Sequence, residues 1–294
     1  MKTAVETQTH SRAPRRFLKL LLTVPSALIL IVLAFFAWQQ FFPVQASEGW
    51  RYQVLHDDVF KAASMVINSD GSLVVSQELR DGKGSILRIR PDGHRETVVG
   101  GLSKPDGMVA AQGGWVFSQE VEGAMVNFFK DGQIKGLFKG ASVQGLWNEG
   151  DALYAIEDRK GDGRLMRYRW SDQSLKVLRS GLSETESITR CTDGRMLYTE
   201  KEKGVIHQLT EDGRDPVVLG GFNQPTFLMC DQRGLWISED STHRARLLLI
   251  DPQGAQHTVL SFLKAPQAII PTGRGTYLLA EGGRDRILEL TPDR

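Results

Sequence analysis

From residue 60 to its end the chain repeats one short pattern, and that repetition constrains the fold more than any single motif. The strings SLVVSQE (72–78), GWVFSQE (114–120), ALYAIED (152–158), RMLYTEK (195–201), GLWISED (234–240) and TYLLAEG (276–282) recur at intervals of roughly 40 residues. Each is a short apolar run closing on Gln77, Gln119, Glu157, Glu200, Glu239 or Glu281. A turn precedes each run, such as SDG, QGG or TDG, and a second strand follows in pieces such as SILRI, GVIHQL, RLLLI and RILEL. Asp-Gly and Gly pairs supply the positive φ angles of tight hairpins. RPDG, FKDG, TEDG and DPQG mark a further turn, and RETVVGG, DPVVLGG and QHTVLSF a closing strand.

Each unit is therefore four short antiparallel strands, A to D, the plan of a propeller blade that buries its apolar faces against its neighbours. Units of this length fit six times between residues 60 and 294, so the expected fold is all-β, a six-bladed propeller over 50–294. The last unit stops at ILELTPDR, its third strand, while WRYQVLHDD (50–58) stands unassigned before the first. Pairing that segment into the last blade would close the ring and cover a bare sheet edge. Trp115, Trp236 and Tyr277 lie within B strands and are expected between blades.

The whole 50–294 region resembles six-bladed propellers of the gluconolactonase, strictosidine-synthase-like and NHL-repeat group. DGSLVVSQELRDGKGSILRIRPDG and RGLWISEDSTHRARLLLIDPQG look like NHL-type units, with Glu or Gln where such repeats usually place Asp. WD dipeptides and tandem-Gly kelch signatures are missing.

In such a blade the start of strand A and the end of strand B meet at one channel mouth. The starts of A carry Ser64, Asp106, Gln144, Glu186, Thr226 and Gln267. The ends of B carry Gln77, Gln119 and the four glutamates, whose mutual repulsion something must offset. Basic residues of the B–C loops, Arg159, Lys201, Arg246 and Arg286 among them, would neutralise that ring; a shared cation is the other solution. PDGM around Asp106 is similar to a metal-binding Asp motif of gluconolactonase-type enzymes, and TESI at Glu186 loosely resembles the acidic start of their first blade. The resemblance implies a divalent cation, Ca²⁺ above all, held by Asp106 and Glu186, with Asp106 also placing the attacking water. Gln144, Gln267 and His243, in SEDSTHRAR, are the expected substrate contacts. The family's Glu-Gly-Pro and Pro-Asn-Gly are not found, and PDG is also an ordinary turn. Gln119 and Glu120, at the far end of the hairpin from Asp106, are expected to tolerate substitution.

The N-terminus is a different material. Residues 1–19 hold five basic residues against Glu6, and LLLTVPSALILIVLAFFAW (20–38) then runs without a charge. At 1.5 Å per helical residue that run reaches roughly 28 Å. The expectation is a basic cytoplasmic tail (1–19), a transmembrane signal-anchor (20–38), a linker (39–49) and a propeller outside the cytoplasm, periplasmic if the cell is bacterial. Val44-Gln45-Ala46 also fits a small-residue cleavage site, which keeps a removed signal peptide open.

A charge of +1 and the lack of a basic run interleaved with aromatics after residue 50 exclude a nucleic-acid partner. Cys191 and Cys230 fall at matching places in strand A of adjacent blades, which are expected to hold them apart as buried thiols. GxSxG, HExxH and a phosphate-cradling Gly loop are absent. What remains is a metal-assisted hydrolase of lactones or related esters, or a non-catalytic NHL-like binding propeller serving an envelope protein complex. A quinone-cofactor dehydrogenase on the same architecture comes third.

Overall fold

The computed structural model describes residues 15–240 and 244–293. The chain divides into two units, residues 1–43 and Val44–Arg294. The first contains the helix Arg15–Phe41, which carries Pro25. Among the described residues no helix is long and apolar enough to cross a membrane, which corrects the transmembrane span expected at 20–38. Pro25, Ser26 and Thr23 interrupt the apolar run.

In the second unit, six antiparallel sheets follow one another in chain order. The inner strands are Ala62–Ile67, Met108–Ala111, Val143–Glu149, Ile188–Arg190, Pro225–Asp231 and Pro266–Pro271, and each neighbours the next in a closed circle. Tight turns hold because glycines such as Gly71 and Gly194 take φ near +80° at no steric cost. Six apolar clusters fill the six blade junctions. Trp115 packs between the first two blades, and Trp236 and Tyr277 between the last two.

The segment Trp50–His56 pairs antiparallel with Arg286–Pro292 as the outermost strand of the sixth blade, so the ring closes on its own N-terminal strand. The structure adds a strand that no periodicity marks. Gln45–Ala46 pairs with Leu260 and Ser261 as a fifth strand of the fifth blade. Val44 is buried beside it, and its carbonyl accepts a hydrogen bond from the Tyr52 hydroxyl at 2.8 Å. Cleavage after Ala46 would remove a part of the folded domain. A chain beginning at Ser47 is expected to be about 2–3 kcal/mol less stable than one beginning at Phe42, from the lost Val44 burial and strand pairing. Equal denaturant midpoints for the two would show that the added strand contributes nothing.

Cys191 and Cys230 form a disulfide, contrary to the expectation of two thiols. Near the axis adjacent inner strands converge, and the Cα atoms stand 4.8 Å apart, within disulfide reach.

Candidate functional site

One local device recurs in every blade. A residue in the left-handed region leads into each inner strand: Lys61, Lys104, Ser142, Glu184, Gln224 and Ala265, with φ between 45° and 53°. None is a glycine, so each position carries a small strain that its surroundings must hold. The holding bond is the same six times. Their carbonyls accept from the backbone N–H of Glu78, Glu120, Asp158, Lys201, Asp240 and Gly282, the residues that follow each B strand. Start of A and end of B are thereby tied together at one mouth.

The bulges that follow re-aim the starts of the inner strands. Hydroxyls of the B strands fix them: Thr199 Oγ1 accepts from the N–H of both Glu186 and Ser187, at 3.1 Å each. Gly107 is required by close approach, since a Cβ there would stand 2.2 Å from the Gln144 carbonyl oxygen.

All six residues expected at the channel edge, Ser64, Asp106, Gln144, Glu186, Thr226 and Gln267, line a single axial cavity of about 360 Å³. The ring of Gln77, Gln119 and the four glutamates does not face it. Glu157, Glu239 and Glu281 are fully buried and serve the framework. Glu157 and Glu239 each take a two-pronged guanidinium, from Arg164 and Arg246, and accept from the N–H of Ala141 and Asn223. Glu281 holds Arg284, Arg286 and the Lys264 N–H. Glu200 binds Lys203 and His207 instead. Of the two solutions open for this ring, neutralisation by basic partners is the one the side chains adopt.

The mouth acids are the next residues along. Carboxylate oxygens of Glu78, Asp106 and Glu120 lie within 4.8 Å of one another. Lys104 bridges two of them, contacting Glu120 closely and Glu78 at 3.4 Å. Across the mouth Lys201 holds Glu186 at 2.7 Å and Asp240 at 3.0 Å. Asp158 stands between these groups. Around these two lysines stand the carboxylates of Glu78, Asp106, Glu120, Asp158, Glu186 and Asp240, with Glu184, Arg159 and Lys160 along the same rim. Asp106 is only 4% exposed, and no hydrogen bond reaches its carboxylate among the described residues.

Burial, with Glu78, Glu120 and Glu186 nearby, drives the Asp106 carboxyl well above its ordinary range. Burial also raises Glu78, pushes Asp158 up to about 6 and takes Glu186 to about 8 against the pull of Lys201. Lys104, which burial alone would lower, is raised by Glu120 and Glu78. Between pH 5 and 8 the folded mouth therefore keeps protons that the unfolded chain has released, so stability falls as pH rises through that window. Any cation at the mouth binds the ionised carboxylates, so its stabilising effect is expected to grow from pH 5 to pH 8. Melting curves with Ca²⁺ and with chelator at the two pH values measure this directly; a shift that is larger at pH 5 would contradict it.

Asp106 and Glu186 thus share the cavity wall but not an ion-sized group: Glu186 is held by Lys201, and Asp106 sits with Glu78 and Glu120. Lys104, Glu78, Glu120, Asp158, Lys201 and Asp240 belong to the mouth although the repeat pattern does not mark them as site residues. For all of these but Lys104 the signal is the last letter of each repeated string, E, E, D, K, D and G, one place beyond the recurrent Gln or Glu. Glu120 lies in the cluster with Asp106, although it stands at the other end of the hairpin. Gln144 and Gln267 stand at the mouth, while His243 lies outside the described residues.

No protein-family model and no curated protein matches the chain. Among solved structures, a gluconolactonase from Xanthomonas campestris superposes with a TM-score of 0.70 at 15% identity, over 85% of this chain and 95% of its own. A virginiamycin B lyase from Staphylococcus aureus, crystallised with quinupristin, gives 0.57 at 18% identity over 79% and 80% of the two chains. A chain of a nidogen/laminin complex gives 0.58 at 14% identity over 67% and 79%. A gluconolactonase, a lyase and a chain of a nidogen/laminin complex thus share one fold with this chain, and at these identities the likeness is of fold alone.

Proposed function

We propose that the protein is a divalent-cation-dependent hydrolase of lactones or related esters, working at the channel mouth. The observation that carries this reading is Asp106, a buried carboxylate beside two others, with no donor among the described residues, at the top of a ligand-sized cavity. The donor set is all hard oxygen, which suits Ca²⁺. Asp106, Glu78 and Glu120 would hold the ion, with Lys104, on a flexible stem, leaving the pair it bridges. Bound there, the cation supplies Lewis acidity towards a carbonyl oxygen.

The remaining roles fall to the chain itself. Glu186, at about 8, holds a proton at neutral pH and can pass it to a leaving alkoxide oxygen. Lys201 fixes its orientation. The Gln144 and Gln267 amides face the mouth as contacts for the substrate head. The likeness to the Xanthomonas gluconolactonase supports the reaction class. An extracytoplasmic site of action belongs to the same proposal, supported by a disulfide of the kind that persists in oxidising compartments.

A non-catalytic binding propeller is the second reading, favoured by the same two lysines, which already bridge acids at the mouth. The two part on a simple assay. A panel of γ- and δ-lactones and aryl esters should be hydrolysed with Ca²⁺ and spared with chelator, and Asp106→Asn should lose at least about 100-fold in kcat/KM, as expected for removal of a principal electrostatic group. A panel untouched in either condition would leave the binding propeller standing.

A further inference from the structure

Below its acidic rim the cavity changes character. Its wall is Val109, Leu146, Phe227, Ile269 and Ile270, with Trp147 deeper on the same strand as Gln144. Two hydroxyls of the lining are engaged within the fold: Ser187 Oγ accepts from the Leu228 N–H at 3.0 Å, and Thr226 Oγ1 donates to the Ser238 carbonyl at 3.2 Å. A polyhydroxylated ring lowered past the rim would find few partners.

We propose that the channel takes a single unbranched aliphatic chain, carried by the lactone or ester whose oxygen-rich head rests at the mouth. The preferred substrates are thus acyl- or alkyl-substituted lactones and esters rather than sugar lactones. The nature of the head rests on the hydrolase reading; the chain-binding channel does not. Burying each methylene in such a wall improves binding about fourfold until the channel is full.

The test uses the full chain with Ca²⁺ and two independent readouts. The first is kcat/KM for γ-valerolactone, γ-octalactone, γ-dodecalactone and glucono-δ-lactone. The second is calorimetric binding of 1-butanol, 1-hexanol and 1-decanol, which needs no catalysis. Both should rise about fourfold per methylene, with glucono-δ-lactone the poorest substrate. Val109→Phe, which narrows the channel, and Leu146→Asn, which wets it, should each remove the chain-length gain; two variants guard against one failing to fold. Hydrolysis that ignores chain length, or that favours glucono-δ-lactone, overturns the channel proposal and leaves the hydrolase intact. Graded alkanol binding without any hydrolysis supports the channel and removes the hydrolase. Alkanol binding that is absent, or unaltered by both variants, overturns the channel.

Discussion

A chain that begins at Phe60 should lose about 5 kcal/mol or fail to fold. The deletion removes Trp50–His56, which forms the outer strand of the sixth blade along Arg286–Pro292. Trp50 also packs edge-on against Trp236 at 5.3 Å and against Tyr277 at 6.2 Å, so its loss opens the junction between the last two blades. Val59, fully buried, and its hydrogen bond to the Asp285 carbonyl go as well. The exposed edge becomes a template for pairing with other chains. Against a total stability of about 5–15 kcal/mol, the melting temperature should fall by about 10–20 °C, with aggregation. A cooperative transition within about 2 °C of the intact chain would refute closure by this strand.

Glu281→Ala is expected to cost about 3–5 kcal/mol, because it strips the carboxylate from two guanidinium groups and a backbone N–H inside the protein. Arg284 is only 7% exposed, so water cannot take over that role. Glu281→Gln should recover little, since the amide keeps the size but loses the charge. Asp106 should behave in the opposite way. Glu78, Glu120 and Glu186 stand near it and no donor reaches it among the described residues, so in chelator Asp106→Asn removes a repulsion rather than a support. Such a sign reversal is how a site differs from a framework: the site stores a cost that its ligand relieves. Urea midpoints for the three variants, all in chelator, measure both effects. A Glu281→Ala midpoint equal to that of the unaltered chain would remove the distinction.

The architecture was legible because a repeat of four strands encodes its own register, and each error in one blade is corrected by five others. The same averaging located Asp106, Gln144 and Glu186 on one channel. What it did not resolve was which of two adjacent residues at the end of strand B turns inward. Glu157 and Asp158 are both acidic and terminal, yet Arg164 clamps Glu157 in the interior while Asp158 faces the mouth. Strand alternation reverses facing at every step, so a one-residue choice decides between framework and site. Lys104 was invisible for another reason. It lies in a turn, and only the left-handed backbone there swings its ammonium group towards Glu78 and Glu120. Gln45–Ala46 is too short to carry any period, and the Cys191–Cys230 pair depends on how closely inner strands converge, which spacing alone does not report.

The central claim is that Asp106 is held ready for a cation and not for the fold. Thermal unfolding of the unaltered chain and of Asp106→Asn, each at pH 8 with millimolar Ca²⁺ and with chelator, tests it most directly. A ligand that binds only the folded form stabilises by RT ln(1 + [L]/Kd), so about 100-fold saturation corresponds to about 2.7 kcal/mol. The account predicts a Ca²⁺ shift of several degrees for the unaltered chain, little or none for Asp106→Asn, and a variant at least as stable as its parent in chelator. A parent indifferent to Ca²⁺, together with a variant that melts lower in chelator, would make Asp106 a structural residue and contradict the account.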